Sequence, residues 1–174
     1  MVASRSEGGR PRTGAGDGLD NPGADSAGVG IAPSCESPVA EATPRLEASG
    51  ILRYDGAGWT GVRTLPYKTS AEDFAGMTRR ILASPEAAAF EVRYFEVDPG
   101  GHSSLERHAH IHVVIGYRGR GRVRLGDAVH EVGFGDVVYV APGDAHQFLN
   151  PYGDPFGFLC IVDRDRDRPE PIGG

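Results

Sequence analysis

Residues 99–121 of this 174-residue chain read PGGHSSLERHAHIHVVIGYRGRG, and this stretch decides the predicted fold. Groups able to bind a metal ion recur in it at every second residue: Glu106, His108, His110 and His112. Alternate side chains of an extended strand point to one face, so these groups would project from one strand or tight hairpin into one cavity. Neutral imidazole and carboxylate are usual ligands of first-row transition metals. The stretch therefore predicts a metal site on a β-scaffold.

A further candidate ligand, His146, lies downstream in GDVVYVAPGDAHQFLN, residues 135–150. A single histidine in a strand is usually hydrogen-bonded and binds no metal. Three histidines within five residues, with a fourth in a second glycine- and proline-marked segment, favour a metal site instead.

The chain after Pro99 is predicted to be a series of short strands. Glycine and proline turns separate them, as at Gly126-Asp127 and Pro142-Gly143. Regularly spaced short strands of this kind predict an all-β sandwich or barrel. The predicted strands are His102–His108, His112–Tyr117, Gly121–Leu125, Val129–Val132, Asp136–Val140, Gln147–Leu149 and Phe156–Val162, with FEVRYFEV upstream of them.

One short helix is predicted before the barrel, between Ala71 and Ala83. Thr69 and Glu72 match a capping box, and Pro85 marks the end. Apolar residues at near-helical spacing give one stripe, which we interpret as core packing; they are Ala71, Phe74, Met77 and Ile81.

Composition divides the chain into three parts. Residues 1–48 are rich in Gly, Ala, Pro and Ser with almost no large apolar residues, so they are predicted to be a disordered tail. Residues 49–163 form the predicted β-domain. In residues 164–174 the alternation of Arg and Asp is typical of a charged, solvated end.

The downstream segment keeps the spacing of a known motif, which runs glycine, five residues, proline, any residue, glycine, two residues, histidine, three residues and asparagine. Its positions here are Gly135, Ala141 where proline is usual, Gly143, His146 and Asn150. Only the proline is displaced by one residue, to Pro142. In this spacing, and in the histidine-rich stretch, the chain resembles the cupin family over roughly Phe90 to Val162. The resemblance implies an all-β, cupin-type jelly-roll β-barrel, with the short helix before it and the disordered tail outside it.

The family's first motif, two histidines one residue apart and a later glutamate before a closing glycine, is altered here. Counting back from Gly119, its positions fall on Glu106, His108 and His112, so carboxylate and imidazole exchange places. With His146 these residues are the favoured ligand set, and residues 109–111 become a turn that leaves His110 at the rim. The rival interpretation takes His108 and His110 as the histidine pair. Alternation does not separate the two because all four residues share one parity.

Three imidazoles and one carboxylate would leave open positions on one divalent transition-metal ion. Fe, Mn, Ni, Cu and Zn all fit this ligand set. Because protonated imidazole cannot ligate, metal affinity is expected to fall as the pH drops through the histidine range near 6.5.

The favoured functional hypothesis is a metal-dependent, dioxygenase-like oxygenase acting on a small organic molecule. An isomerase or lyase that uses the metal as a Lewis acid is equally compatible with these residues, and cupins support all of these reactions. No general base is evident beyond the ligands, so no catalytic residue is assigned. The alternative is a non-catalytic cupin that binds a metal or a small ligand.

The net charge of −6 argues against nucleic acid as a partner, and no apolar run approaches the length of a membrane span. The two cysteines, Cys35 and Cys160, do not make a disulfide framework, and Cys160 is predicted to be a buried small hydrophobe. These features and the absence of a secretory signal predict a cytoplasmic protein. The expected partners are a small molecule and a second copy of the chain, paired through Ile51–Tyr54 and Trp59–Tyr67.

Overall fold

Short segments of alternating apolar and polar residues form eleven strands in the part of the chain described by the computed structural model, residues 48–68 and 73–172. All of these residues fall in one compact unit, Ala40–Gly174, and nearly all of the predicted disordered tail lies outside the described residues. The strands are β1 (Leu65–Pro66), β2 (Ala75–Ala83), β3 (Phe90–His102), β4 (Glu106–Arg107), β5 (His112–Arg118), β6 (Gly121–Leu125), β7 (Ala128–Val132), β8 (Val137–Val140), β9 (His146–Leu149), β10 (Phe156–Asp163) and β11 (Glu170–Pro171).

All strand pairs are antiparallel, and the strands belong to one curled sheet. In one half the order is β1-β2-β3-β10-β5-β8. In the other it is β7-β6-β9-β4-β11. The long strand β3 joins the halves, because its last residue, His102, pairs with Leu149 of β9. The all-β prediction is confirmed.

The predicted helix between Ala71 and Ala83 is wrong. Ala75–Ala83 is strand β2, which pairs along its length with β3, and no helix occurs in residues 48–68 or 73–172. The capping-box residues Thr69 and Glu72 lie outside the described residues. No helix long and apolar enough to cross a membrane was found among the residues described.

The hydrophobic core fills the space between the two halves of the sheet. Strand β10 shows the alternation that produces it: Phe156, Phe158, Cys160 and Val162 are each at most 2% exposed. The rings of Phe148 and Phe158 stack with their centroids 4.4 Å apart across the core. This packing fixes β9 against β10.

Pairing of short strands brings the two sequence motifs together. Glu106 of β4 pairs with His146 of β9, and the Gly143 N–H donates to the His108 carbonyl oxygen at 2.8 Å. Residues separated by about forty positions in the sequence therefore lie side by side, and the candidate site lies where they meet.

Candidate metal centre

The five candidate ligands lie close together, and all are buried. Their relative exposures are between 2% and 8%. Two of them belong to β4 and β9, one begins β5, and two lie in the connection between β4 and β5; in chain order they are Glu106, His108, His110, His112 and His146.

Their ligand atoms form two groups that share His108. The first is Glu106, His108 and His146, and the second is His108, His110 and His112; within each, the atoms lie within 4.8 Å of one another. The four residues of the favoured set therefore do not appear as one group. Both groups offer only carboxylate oxygen and imidazole nitrogen, a donor set that suits a divalent transition metal.

The expectation that His110 would lie at the rim is wrong. The turn at residues 109–111 is present as a bend, but the His110 side chain points inward. Its ring stacks on that of His108 with centroids 3.6 Å apart, and its Nε2 lies 3.1 Å from Nε2 of His112. On the opposite edge of the His110 ring, an Asp167 carboxylate oxygen lies 2.6 Å from Nδ1.

Backbone carbonyls orient two of the imidazoles. His108 Nδ1 lies 2.8 Å from the His110 carbonyl oxygen, and His146 Nδ1 lies 3.1 Å from that of Asp144. Since a carbonyl only accepts, Nδ1 carries the proton in each ring and Nε2 keeps its lone pair. His108 Nε2 is buried and has no hydrogen-bond partner among the described residues. An orphaned acceptor at the centre of the cluster fits a metal ion.

The Glu106 carboxylate is held by two residues that sequence reasoning missed. Its Oε2 accepts from Lys68 Nζ at 2.7 Å and from Ser104 Oγ at 2.8 Å. Ser104 also accepts from Lys68 Nζ at 2.8 Å. These contacts fix the position of the carboxylate beside the imidazoles. Lys68 precedes the cluster by 38 residues, and nothing in its local sequence signals the contact.

Burial keeps the imidazoles of His108, His112 and His146 neutral. Desolvation is the main cause that lowers the pKa of His108 and of His146, and it lowers the pKa of His112 to about 2, with the neighbouring His108 adding to the effect. Neutral imidazole is the form that binds a metal. At neutral pH these three side chains are therefore ready to ligate.

The cluster opens into a cavity of about 520 Å³. Its lining combines aromatic residues, cationic residues and candidate ligands. The aromatic residues are Tyr67, Phe95, Phe148 and Phe158; the cationic ones are Lys68, Arg79, Arg93, Arg166 and Arg168; and the ligands are Glu106, His110, His112 and His146. A cavity of this size suits a small organic molecule.

Comparison with known proteins identifies the family. The model of the cupin domain family matches residues 93–162. A 1-methylthio-D-xylulose 5-phosphate methylsulfurylase of Rhodospirillum rubrum is 44% identical over 113 residues, which cover 64% of this chain and 72% of that protein. The chain belongs to the cupin superfamily. The resemblance inferred from the two motifs is thereby confirmed.

Solved cupin structures agree with this placement. A cupin 2 conserved barrel domain protein from Rhodopseudomonas palustris superposes with a TM-score of 0.63 and 45% identity, covering 67% of this chain and 81% of that one. A cupin-2 domain protein from Rhodospirillum rubrum gives a TM-score of 0.64 and 40% identity, covering 71% and 84%. The curled sheet of this cupin thus has the fold of these cupin barrels.

Cys160 of this cupin also lines the cavity. The prediction that it is buried is confirmed, since it is 1% exposed, but its thiol faces the candidate site. Arg93 Nη2 lies 3.4 Å from Cys160 Sγ, and His112 Nδ1 lies 3.7 Å from it. Burial raises the pKa of the thiol, while the Arg93 guanidinium opposes that shift.

The C-terminal residues 164–172, here called the strap, are not simply a solvated end. Strand β11 pairs with β4, and the Ile172 N–H donates to the Leu105 carbonyl oxygen at 3.0 Å. Asp167 accepts from the Ala109 N–H at 2.7 Å and from the His110 N–H at 3.1 Å, and these bonds lower the pKa of its carboxyl. The charged pattern predicted exposure, but it did not show that one carboxylate fastens the strap beside the cluster.

Proposed function

We propose that this cupin is a metal-dependent enzyme that removes the methylthio group from a methylthio-substituted ketose phosphate. The observation that carries the proposal is the Cys160 thiol, which lines the same cavity as the carboxylate and imidazole cluster. The relative at 44% identity is named for action on 1-methylthio-D-xylulose 5-phosphate, and a sulfur-transfer reaction needs a sulfur acceptor. The dioxygenase-like activity expected from the ligand set has no comparable support.

A metal ion would be held by Glu106, His108 and His146, or by His108 together with His110 and His112. When bound, it would supply Lewis-acid stabilisation of negative charge on a substrate oxygen. Both groups adjoin the cavity in which the substrate would lie. The backbone carbonyls that hold His108 and His146 keep their Nε2 atoms aimed at the cluster.

The sulfur step balances with Cys160 as acceptor. The thiolate forms a bond to the substrate sulfur, the bond between C1 and sulfur breaks, and its electron pair stays on C1, where the neighbouring carbonyl of a 2-ketose delocalises it. C1 then takes up one proton, which balances the proton lost by the thiol. Arg93 at 3.4 Å from Sγ favours the thiolate. The enzyme is left with a methyl disulfide, which a second thiol reduces to complete the cycle.

The test combines turnover with intact-protein mass. Wild-type protein loaded with Fe, Mn, Ni, Cu or Zn is incubated with 1-methylthio-D-xylulose 5-phosphate and a low-molecular-weight thiol. We expect loss of the methylthio group without consumption of oxygen, and, when the thiol is omitted, a methylthio adduct on the protein. Cys160→Ser should abolish both, while the control His130→Ala, at an exposed position of β7, should keep both.

Two results would overturn the proposal. One is full turnover by Cys160→Ser, which would remove the thiol from the reaction. The other is oxygen consumption that matches substrate loss, which would favour the dioxygenase-like reaction that the ligand set also accommodates.

A further inference from the structure

Three arginines line the cavity, and two of them contact one buried carboxylate. Arg79 lies on β2, Arg93 on β3 and Arg166 on the strap, and we call them the arginine group. Glu91, on the same face of β3 as Arg93, is 8% exposed. Its Oε1 lies 3.2 Å from Arg166 Nη2 and 3.7 Å from Arg93 Nε. One carboxylate thus pairs with two of the three guanidinium groups, and the three arginines together carry two positive charges more than Glu91 offsets.

Nitrogen donors in this group are left without partners. Arg93 is 8% exposed, yet its Nε has no hydrogen-bond partner among the described residues, since the distance to Glu91 is too long. Arg79 Nε is also buried and unpartnered within the described part of the chain. Burial and the positive charge of Arg93 lower the pKa of Arg79. Buried charged donors without an acceptor are costly, so the group is built to receive an anion.

We propose that Arg79, Arg93 and Arg166 bind the phosphate group of the substrate, a phosphomonoester dianion. This rests on the proposed function and assigns the end of the substrate opposite to the sulfur. A dianion matches the excess of two positive charges, and guanidinium groups bind phosphate oxygens in a fork geometry. Arg93 links the two ends of the site, because its Nη2 contacts Cys160 while its Nε faces Glu91.

The strap completes this phosphate subsite. Arg166 lies one residue before Asp167, the carboxylate that fastens the strap to Ala109 and His110. Arg168 and Pro169 also line the cavity. The substrate site therefore includes residues that follow the last long strand of the barrel, and substrate selectivity for a phosphate depends on them.

The test compares two substrates that differ only in the phosphate. Steady-state kinetics are measured for 1-methylthio-D-xylulose 5-phosphate and for its dephosphorylated form with Arg79→Gln, Arg166→Gln and Arg166→Lys. We expect Arg79→Gln and Arg166→Gln to raise KM for the phosphorylated substrate roughly 10- to 100-fold and to leave KM for the other unchanged. Arg166→Lys should recover part of the loss, since it keeps the charge. The control Arg124→Gln, on β6 and paired with Asp127, should change neither value.

Calorimetry with inorganic phosphate and with xylulose 5-phosphate distinguishes binding of the free dianion from binding of a sugar phosphomonoester. Binding of either by the wild type, weakened in both glutamine variants, supports the subsite even if no turnover of the methylthio substrate is found, a result that would sink the proposed function alone. Equal KM changes for both substrates, or phosphate binding that the glutamine variants retain, would overturn the subsite. Circular dichroism of each variant verifies that it is folded.

Discussion

Burial of individual imidazoles changes what their chemistry does with pH. The pKa of His112 is lowered to about 2, and the pKa values of His108 and His146 are also lowered from the ordinary histidine value, chiefly because of desolvation. The sequence alone predicted loss of metal affinity near pH 6.5, the value for exposed histidine. Since the buried rings stay neutral at lower pH, we now expect that loss at a clearly lower pH.

Metal content tests the cluster residue by residue. Removal of one ligand costs more than loss of an outer partner, which already weakens metal affinity about 10- to 100-fold. We therefore expect His108→Ala and His146→Ala to be purified with little of the metal found in the wild type, as measured by elemental analysis. His130→Ala, with its side chain exposed on β7, should retain the wild-type content. Equal metal in all four proteins would remove the proposed centre.

The stability of the metal-free protein should depend on pH through His112. In the unfolded chain its pKa is near 6.5, and in the folded protein it is about 2. Between these values the unfolded state binds more protons. The contribution of neutral His112 to the free energy of unfolding is therefore fully present above about pH 6.5, and below that value the free energy falls by about 1.4 kcal/mol per pH unit. Urea unfolding at about pH 7.5 and about pH 5.5 measures this slope.

In the same experiment His112→Gln should show a shallower slope, because the titrating group is gone. His130→Gln should keep the wild-type slope, since that side chain is exposed in both states. A His112→Gln slope equal to that of the wild type would contradict the assignment.

At the scale of elements, β2 shows why a helix was predicted where a strand forms. Met77 and Ile81 are four residues apart, and Ala, Met, Arg and Leu favour helices in isolation. The strand forms because β3 offers a partner over its whole length, from Ala75 to Ala83. Tertiary pairing outweighs local propensity here, and that partner is not visible in a local window of sequence.

Strand β5 contains a glycine whose missing side chain permits a close backbone contact. A Cβ added at Gly116 would overlap the carbonyl oxygen of Gly133, and the Gly116 N–H and carbonyl bond to Asp136 and Gly135 at 2.9 Å. We expect Gly116→Ala to lower the free energy of unfolding by about 1–3 kcal/mol, as overpacking does. Gly153→Ala, which has open space at its Cβ, should change it by less than about 0.5 kcal/mol. Equal stability of both variants would contradict this account of β5.

For the molecule as a whole, the sequence predicted the barrel and most of the cluster but not its surroundings. Alternation and motif spacing placed Glu106, His108, His112 and His146 together because strand geometry is regular. The contacts of Lys68 and Asp167 arise from segments that precede and follow the motifs, and no periodic pattern encodes such distant pairing. His110 was misplaced because residues 109–111 were expected to form a turn that leaves it at the rim, whereas its side chain points inward like its alternating neighbours.

The predicted homodimer remains to be tested. We expect size-exclusion chromatography with light scattering to give twice the chain mass of 18.4 kDa. Ile51, in the segment predicted to pair, is 72% exposed, so Ile51→Glu should yield a monomer. Phe134 is 79% exposed on the loop between β7 and β8, and Phe134→Glu should remain dimeric. A wild-type mass near 18 kDa would refute the dimer, and dissociation by Phe134→Glu alone would move the interface to that loop.

A cluster of aromatic residues around Trp59, which includes Tyr94 of β3, provides an optical probe. Trp59 is the sole tryptophan in the chain, and its ring packs 4.9 Å from Tyr54, 4.9 Å from Tyr94 and 5.5 Å from Tyr117. Tyr94 points away from the face that carries Arg93 and Phe95, since neighbours along a strand alternate. Indole fluorescence will therefore change when the barrel unfolds but will change little when a ligand binds in the cavity. One emission signal thus reports folding separately from ligand binding.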